Sequence, residues 1–253
     1  MKMRPLQTDL SGFGRLDLER PPVGVKYLFF RPEGMEQLSM DKNLAFCEML
    51  KEAQFADAPF YFSRENNETC VGKILLGMTD MESFAEAGQI GPRLGMVQEA
   101  RVNHNFYHHV PRLSKGIVNY VAFAPIDKLT FEPDVLIVTA TPKQAEIVMR
   151  AMTYSTGEPY YSKTTIFMGC SWIYIYPFES GKVNYLIPEM IHGMNGRELF
   201  APNTVLVSIP YQWLQVVSQN LREIKLVFHE SKKEYLAEFE KILGDLVQES
   251  ENP

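Results

Sequence analysis

The sequence predicts a single α+β domain, a mixed β-sheet covered by helices. Short apolar runs suited to buried strands recur along the chain, and stretches with helix-capping signals stand between and after them. No linker rich in Gly, Ser or charge divides the 253 residues, so one domain over 1–253 is expected.

In chain order, residues 1–20 read as a leading helix or arm. Pro21 and Pro22 end it, because each ring disfavours the helical region for the residue before it. Val23 to Phe30 is an apolar and aromatic run, read as a buried strand, and Arg31-Pro32-Glu33-Gly34 as a turn. Asp41 suits the cap of a helix reaching about Ala56, with Leu44, Cys47 and Leu50 on one face. Residues 57–116 are the least regular part, with turn signals at Asp57-Ala58-Pro59 and Asn66-Asn67. Val118 to Ala124 and Asp134 to Ala140 read as strands. Thr141 then suits an N-cap, Pro142 the first helical position and Gln144 the third, opening a helix to about Tyr154. Thr164 to Met168, Ile173 to Tyr176 and Val183 to Ile187 read as further strands, and Thr204 to Ile209 as a last one. Pro210 leads into a helix ending near Arg222. Ser231 and Glu234 form a second capping box, opening a terminal helix with Leu236, Phe239, Leu243 and Leu246 on one face. Residues 249–253 read as a frayed polar tail. The helices near 142–154, 211–222 and 231–248 are expected to cover the sheet.

The stretches 135–149 and 205–217 echo each other. Each is an apolar strand, a proline near the start of a helix, and a glutamine two residues after the proline (Gln144, Gln212). Two related strand–Pro–helix units are one reading. The plainer one is that proline at the first helical position is common.

Composition excludes several function classes. Hydrophobic residues at 45% and charged residues at 22% are ordinary globular usage, which excludes a disordered or collagen-like chain. Lys and Arg number 25 against 31 Asp and Glu, a net charge of −6, and this argues against a nucleic-acid binder that neutralises phosphates. Three cysteines are too few for a disulfide scaffold. The N-terminus lacks the apolar core of a signal peptide, and no apolar run approaches the roughly 20 residues of a spanning helix. A cytoplasmic protein without a membrane span is the resulting expectation.

Chemistry concentrates at the cysteines. Cys47 lies in the first turns of the expected helix, where free amides and the dipole favour a thiolate. Cys70 opens Cys70-Val71-Gly72-Lys73, with a glycine for close approach and a lysine for charge. Cys170 follows Gly169 at the end of an expected strand. Three converging thiolates suit an iron–sulfur cluster with one open iron, or a metal with His or solvent as fourth ligand. The spacings match no local metal motif, and three buried inert cysteines are the competing reading.

A second constellation is basic. From Ala100 to Ile126 no acid occurs, while Arg101, His104, His108, His109, Arg112 and Lys115 do. Arg101, Arg112 and Lys115 form a local positive patch for a small anionic ligand, and Gly88, Gly91 and Gly95 just upstream offer backbone amides to the same anion. A solvated loop paired with acids elsewhere is the alternative. His104 and His108 would share a face if the segment is helical, as a metal pair requires. His192 lies in a Gly-rich loop, a turn histidine or a neighbour of the cysteine site. Ser171 and Ser208 lack the setting of a nucleophile elbow. Trp172, Tyr174, Tyr176 and Phe178 alternate, so one strand face would carry all four, for core packing, a flat ligand or a subunit contact.

Several short motifs occur in a fixed order: PPVGVKYLF (21–29), FCEMLKEA (46–53), TCVGKILLGM (69–78), FEPDVLIV (131–138), TPKQAEIVMRA (141–151), MGCSW (168–172) and Ile209-Pro210. In that order they resemble the family called domain of unknown function 169, over about residues 20–222. The resemblance implies anaerobic bacteria and archaea as the setting. It also implies recurrent cysteines at positions like Cys47, Cys70 and Cys170, which strengthens shared ligation. The chain departs from the family pattern at Trp172-Ile173-Tyr174, where a smaller residue and a basic one are expected. Together these observations favour a cytoplasmic protein of anaerobic metabolism holding an iron–sulfur cluster on Cys47, Cys70 and Cys170. A cluster-free module that binds a small anion through Arg101, Arg112 and Lys115 is the alternative. A homo-oligomer with the 172–178 aromatic face at its interface is the third reading. No proton-transfer residue stands out, so the sequence assigns no reaction.

Overall fold

The computed structural model describes residues 3–226 and 231–251. They divide into two compact units, Met1–Arg222 and Glu223–Pro253. The first unit is built on seven strands: β1 (Val23–Leu28), β2 (Glu36–Gln37), β3 (Phe60–Ser63), β4 (Tyr120–Pro125), β5 (Val135–Ala140), β6 (Asn184–Leu186) and β7 (Val205–Pro210). They form one sheet in the order β2-β3-β4-β1-β5-β7-β6. The β2–β3 pair is parallel and the other pairs are antiparallel, the mixed sheet of an α+β fold. The helices are α1 (Phe46–Gln54), α2 (Gly72–Leu75), α3 (Ser83–Glu86), α4 (Ile90–Arg93), α5 (Ala100–His109), α6 (Pro142–Thr153), α7 (Tyr176–Ser180), α8 (His192–Asn195), α9 (Tyr211–Glu223) and α10 (Lys232–Glu251). No helix among the described residues is long and apolar enough to cross a membrane.

Strand alternation sorts the core into two faces. Val23, Val25, Val135, Ile137, Val121 and Phe123 join one buried cluster with Phe46, Met49 and Leu50 of α1 and with residues 172–175. The intervening residues of β5, Leu136 and Val138, turn the other way. There α6 packs on β5 and β7 through Val148, Met149 and Met152. The start of α6 is as its sequence requires. The Gln144 N–H donates to Thr141 Oγ1 at 3.3 Å, and Gln144 Oε1 accepts the Thr141 N–H at 2.8 Å. The two strand–Pro–helix stretches stand side by side, since β5 and β7 pair from Val135↔Pro210 to Ala140↔Val205. Their helices meet where Asn220 Nδ2 donates to the Ala151 carbonyl at 2.8 Å.

Several elements differ from the sequence expectation. The leading segment is packed rather than a free arm. Residues Ser11–Leu16 form a 3-10 turn that buries Phe13 and Leu16. The buried carboxylate of Glu132 accepts the N–H groups of Gln7 and Thr8 and the Thr8 hydroxyl. At Gly12 an added Cβ would stand 1.9 Å from the Ser218 carbonyl oxygen of α9. Gly12→Ala is therefore expected to cost about 1–3 kcal/mol through overpacking against rigid backbone. An unchanged urea midpoint would refute that contact.

The first helix does not start at Asp41. Leu44 makes a β-bridge to Glu68 and Ala45 is extended, so helical geometry begins only at Phe46. The run Phe60–Ser63, buried throughout, is a central strand that the turn-rich composition of 57–116 concealed. Residues 164–168 form no strand, and the expected strand 173–176 is helical instead. Ser171–Ile175 form a π-helix, closed by the Tyr176 N–H on the Ser171 carbonyl, and continue into α7. Pro177 supplies a physical reason, since it lacks the N–H that would bond the Ile173 carbonyl in a regular helix. An apolar run buried on all sides carries no strand or helix period of its own. The alternating aromatic face therefore does not exist. Trp172 and Tyr174 are core residues, which removes them as a subunit interface. Residues 249–251 belong to α10 rather than to a frayed tail, and 252–253 lie outside the described residues.

Candidate thiol site

Three segments with different local logic meet at the start of α1. The extended residues Leu44 and Ala45 lead into it, and the Thr69 N–H donates to the Leu44 carbonyl at 3.4 Å. Ala45 offers no side-chain acceptor, so only one half of a capping box is made: Glu48 Oε2 accepts the Ala45 N–H. Cys47 lies in the first turn of this nine-residue helix. The Cys70 segment is pressed against it by Gly72, where a Cβ would stand 2.5 Å from Phe46 Cβ. The Glu68 carboxylate turns back to accept the Gly72 and Lys73 N–H groups at the start of α2. The third segment arrives through Met168, whose φ of +58° is rare for a side-chain-bearing residue. At Gly169 a Cβ would meet Ile191 Cγ2 at 2.9 Å and Met194 Cε at 3.0 Å. Cys170 follows directly, at the start of the π-helix.

The core locks these segments together. The Phe46 and Tyr174 rings are 4.4 Å apart, and the Tyr174 hydroxyl donates to the Phe46 carbonyl at 3.3 Å. The Tyr27 hydroxyl donates to the Tyr174 carbonyl at 2.6 Å. The Ser171 hydroxyl donates to the Pro111 carbonyl. A π-helix widens the turn and is frequent at functional sites.

The thiols perturb one another. A hydrogen bond from the Cys170 thiol lowers the Cys47 pKa from its ordinary value, against burial, and the Arg197 charge lowers it further. The same bond, with burial and the charge of Cys47, raises Cys170 well above its ordinary value. Cys47 is thus the thiolate-prone member and Cys170 the proton donor. Cys70 is exposed as a residue, yet surrounding protein desolvates its thiol and pushes it up to about 11, with smaller contributions from the Glu68 and Cys47 charges. Burial raises Glu68 above the usual carboxylate range. Arg197 acts on Cys47, on Cys70 and, after Lys73, on Glu68, and it is held by donating to the Thr69 carbonyl at 3.3 Å.

A raised thiol gives folded protein extra bound protons above the unfolded pKa. The stability from Cys70 is full below 9.0 and is lost as pH rises toward about 11. Metal-free protein is expected to lose stability across that window, and Cys70→Ser to flatten part of the fall. Urea midpoints at several pH values measure it, and a Cys70→Ser profile parallel to wild type would contradict it.

Arg197 and Glu68 were not singled out as site residues by sequence. Their signals are slight: Arg197 closes the Gly-rich loop that contains His192, and Glu68 stands two residues before Cys70. His192 itself is exposed at the start of α8, and its N–H donates to the Ile166 carbonyl.

The basic patch is spread over α5 and the connection after it. Arg101 is exposed and pairs with Glu99 at 3.0 Å, Lys115 is exposed and pairs with Asp80, and Arg112 is exposed. Two of the upstream glycines, Gly88 and Gly91, serve packing, and Gly95 supplies a left-handed turn with a φ of +68°. A Cβ on Gly88 would stand 2.1 Å from the Ala100 carbonyl oxygen, and one on Gly91 2.5 Å from Asn103 Oδ1. α5 does place His104 and His108 on one face, with their Nε2 atoms 3.0 Å apart and His104 Nδ1 2.7 Å from the Glu86 carbonyl.

A cavity of about 720 Å³ has none of the three cysteines in its lining. Lys51 and Gln54, on the same face of α1 as Cys47, line it with Thr139, Gln144 and Met194. Among the described residues, no group of three His, Cys, Asp or Glu side chains is arranged to hold a single metal ion.

Comparison with known proteins agrees with the order of motifs. The family model of domain of unknown function 169 (DUF169), described as an uncharacterised ArCR, matches residues 14–220. An uncharacterized protein of the archaeon Methanocaldococcus jannaschii is 23% identical over 219 residues, covering 83% of this chain and 91% of that protein. No solved structure matches. All three cysteines and Arg197 fall within the matched span, and the chain belongs to the DUF169 family.

Proposed function

We propose that the protein binds an iron–sulfur cluster through Cys47, Cys70 and Cys170, leaving one iron open to a small ligand. The observation that carries this reading is the convergence of three cysteine-bearing segments at the start of α1, where Gly72 is pressed on Phe46 and the Thr69 N–H donates to the Leu44 carbonyl. Cys170 donates to Cys47, the Cys47 charge acts on both Cys70 and Cys170, and the Cys70 charge acts on Cys170. Cysteine thiolates are the ligands such clusters use. Arg197 offsets the negative charge of assembled thiolates, and the first-turn amides of α1 and its dipole act in the same sense. When bound, the cluster supplies an open coordination position. The chain's part is to hold the thiolates, to exclude water from Cys47 and Cys170, and to place Arg197 beside an anionic ligand. The reading suits a reducing, cytoplasmic and anaerobic setting, where free thiols persist.

The test is anaerobic purification followed by iron, sulfide and visible absorption measurements. About three to four irons per folded chain, with broad absorption near 400 nm, is the expected result for such a cluster. A colourless, iron-free, folded protein that takes up no iron and sulfide on reconstitution overturns the reading.

A further inference from the structure

Helix α10 (Lys232–Glu251) carries an apolar stripe that stands exposed. Leu236, Phe239, Leu243 and Leu246 repeat at alternating steps of three and four, the a and d positions of a heptad. Tyr235, Ile242 and Val247 flank them. All seven side chains are 43–55% exposed, whereas the apolar faces of α1, α6 and α9 are buried. Monomeric proteins seldom leave a contiguous stripe of this kind in water.

The charges indicate what covers it. Lys232 and Lys233 open the helix and outnumber Glu234 in its first turn, Asp245 and Glu249 lie toward its end, and no basic residue occupies the last turn. A surplus of positive charge at the start and acids at the end oppose the helix dipole, so this pattern weakens an isolated helix. A second α10 running antiparallel reverses the effect. It sets the acidic end of one helix beside the basic start of the other. A parallel pair would set lysines beside lysines and acids beside acids. The antiparallel register also satisfies the stripe. With Lys241 at the midpoint, Leu236 faces Leu246 and Phe239 faces Leu243, so every a position meets a d position.

We propose that α10 pairs antiparallel with α10 of a second copy of this chain, forming a two-helix seam. The test is sedimentation velocity of the full chain over a wide concentration range, with far-UV circular dichroism to check folding. Wild type is expected at twice the chain mass. Leu236→Glu combined with Leu243→Glu is expected to weaken the dimer by more than about a hundredfold, since four leucines leave the seam. Lys232→Glu with Lys233→Glu is expected to weaken it by several-fold, and adding Asp245→Lys and Glu249→Lys to restore it. A wild type that stays at the chain mass throughout, including one whose α10 docks on its own chain, overturns the proposal. So does a dimer that survives the leucine substitutions. A dimer indifferent to the lysine substitutions overturns the antiparallel geometry.

Discussion

Cys170→Ser is expected to strip most of the iron from anaerobically prepared protein while leaving the chain folded. Serine keeps a hydroxyl that can donate to Cys47, as the Cys170 thiol does, so the hydrogen bond survives in kind. It does not keep the soft sulfur that an iron–sulfur cluster requires. The substitution therefore separates ligation from local structure, which alanine would not. Residual iron well below wild type, with an unchanged far-UV spectrum, is the predicted outcome. Iron content equal to wild type would remove Cys170 from the ligand set and with it the three-cysteine reading. Arg197→Met is the companion experiment. It removes the cation that acts on Cys47 and Cys70, so alkylation of Cys70, the exposed thiol, by iodoacetamide in metal-free protein should slow. An alkylation rate equal to wild type would deny Arg197 that role.

Phe46→Ala should be among the most damaging single core substitutions. The ring is 1% exposed and lies 4.4 Å from Tyr174, 5.8 Å from Phe123 and 6.1 Å from Phe62 by centroid. Truncating a buried phenylalanine costs about 3–5 kcal/mol through lost transfer energy and the cavity left behind. The site should suffer beyond that cost. Alanine removes Phe46 Cγ, which would stand 2.9 Å from a Cβ on Gly72 in the Cys70 segment, and the ring that packs on Tyr174 four residues after Cys170. Denaturant unfolding measures the first effect. The second appears as loss of the separation between Cys47 and Cys170 in a thiol titration. A loss of stability under about 1 kcal/mol would show that the aromatic cluster repacks around the gap.

Much of the fold was legible because the decisive signals are local. The run 135–140, followed by Thr141, Pro142 and Gln144, encodes a strand, a cap and a helix within ten residues, and the structure has each of them. The terminal capping box at Ser231 likewise opens α10. Legibility failed where burial is complete. Residues 60–63 and 171–175 are apolar on every side, so neither shows a period, and tertiary packing made one a strand and the other a π-helix. It failed again at Asp41, a good local cap overruled by a bridge between Leu44 and Glu68.

The same division governs the site. Sequence order alone identified the family and the three cysteines as the residues most worth attention. It could not show that Cys170 donates a hydrogen bond to Cys47, that Arg197 reaches the Cys70 segment, or that Gly72 closes the gap to Phe46. Those contacts join residues more than twenty, and mostly more than a hundred, positions apart. Capping and periodicity act within one turn of helix or one strand. A thiol's proton affinity depends on whichever charges and amides the whole fold brings beside it, and that is set only when the sheet and α1 have closed around it.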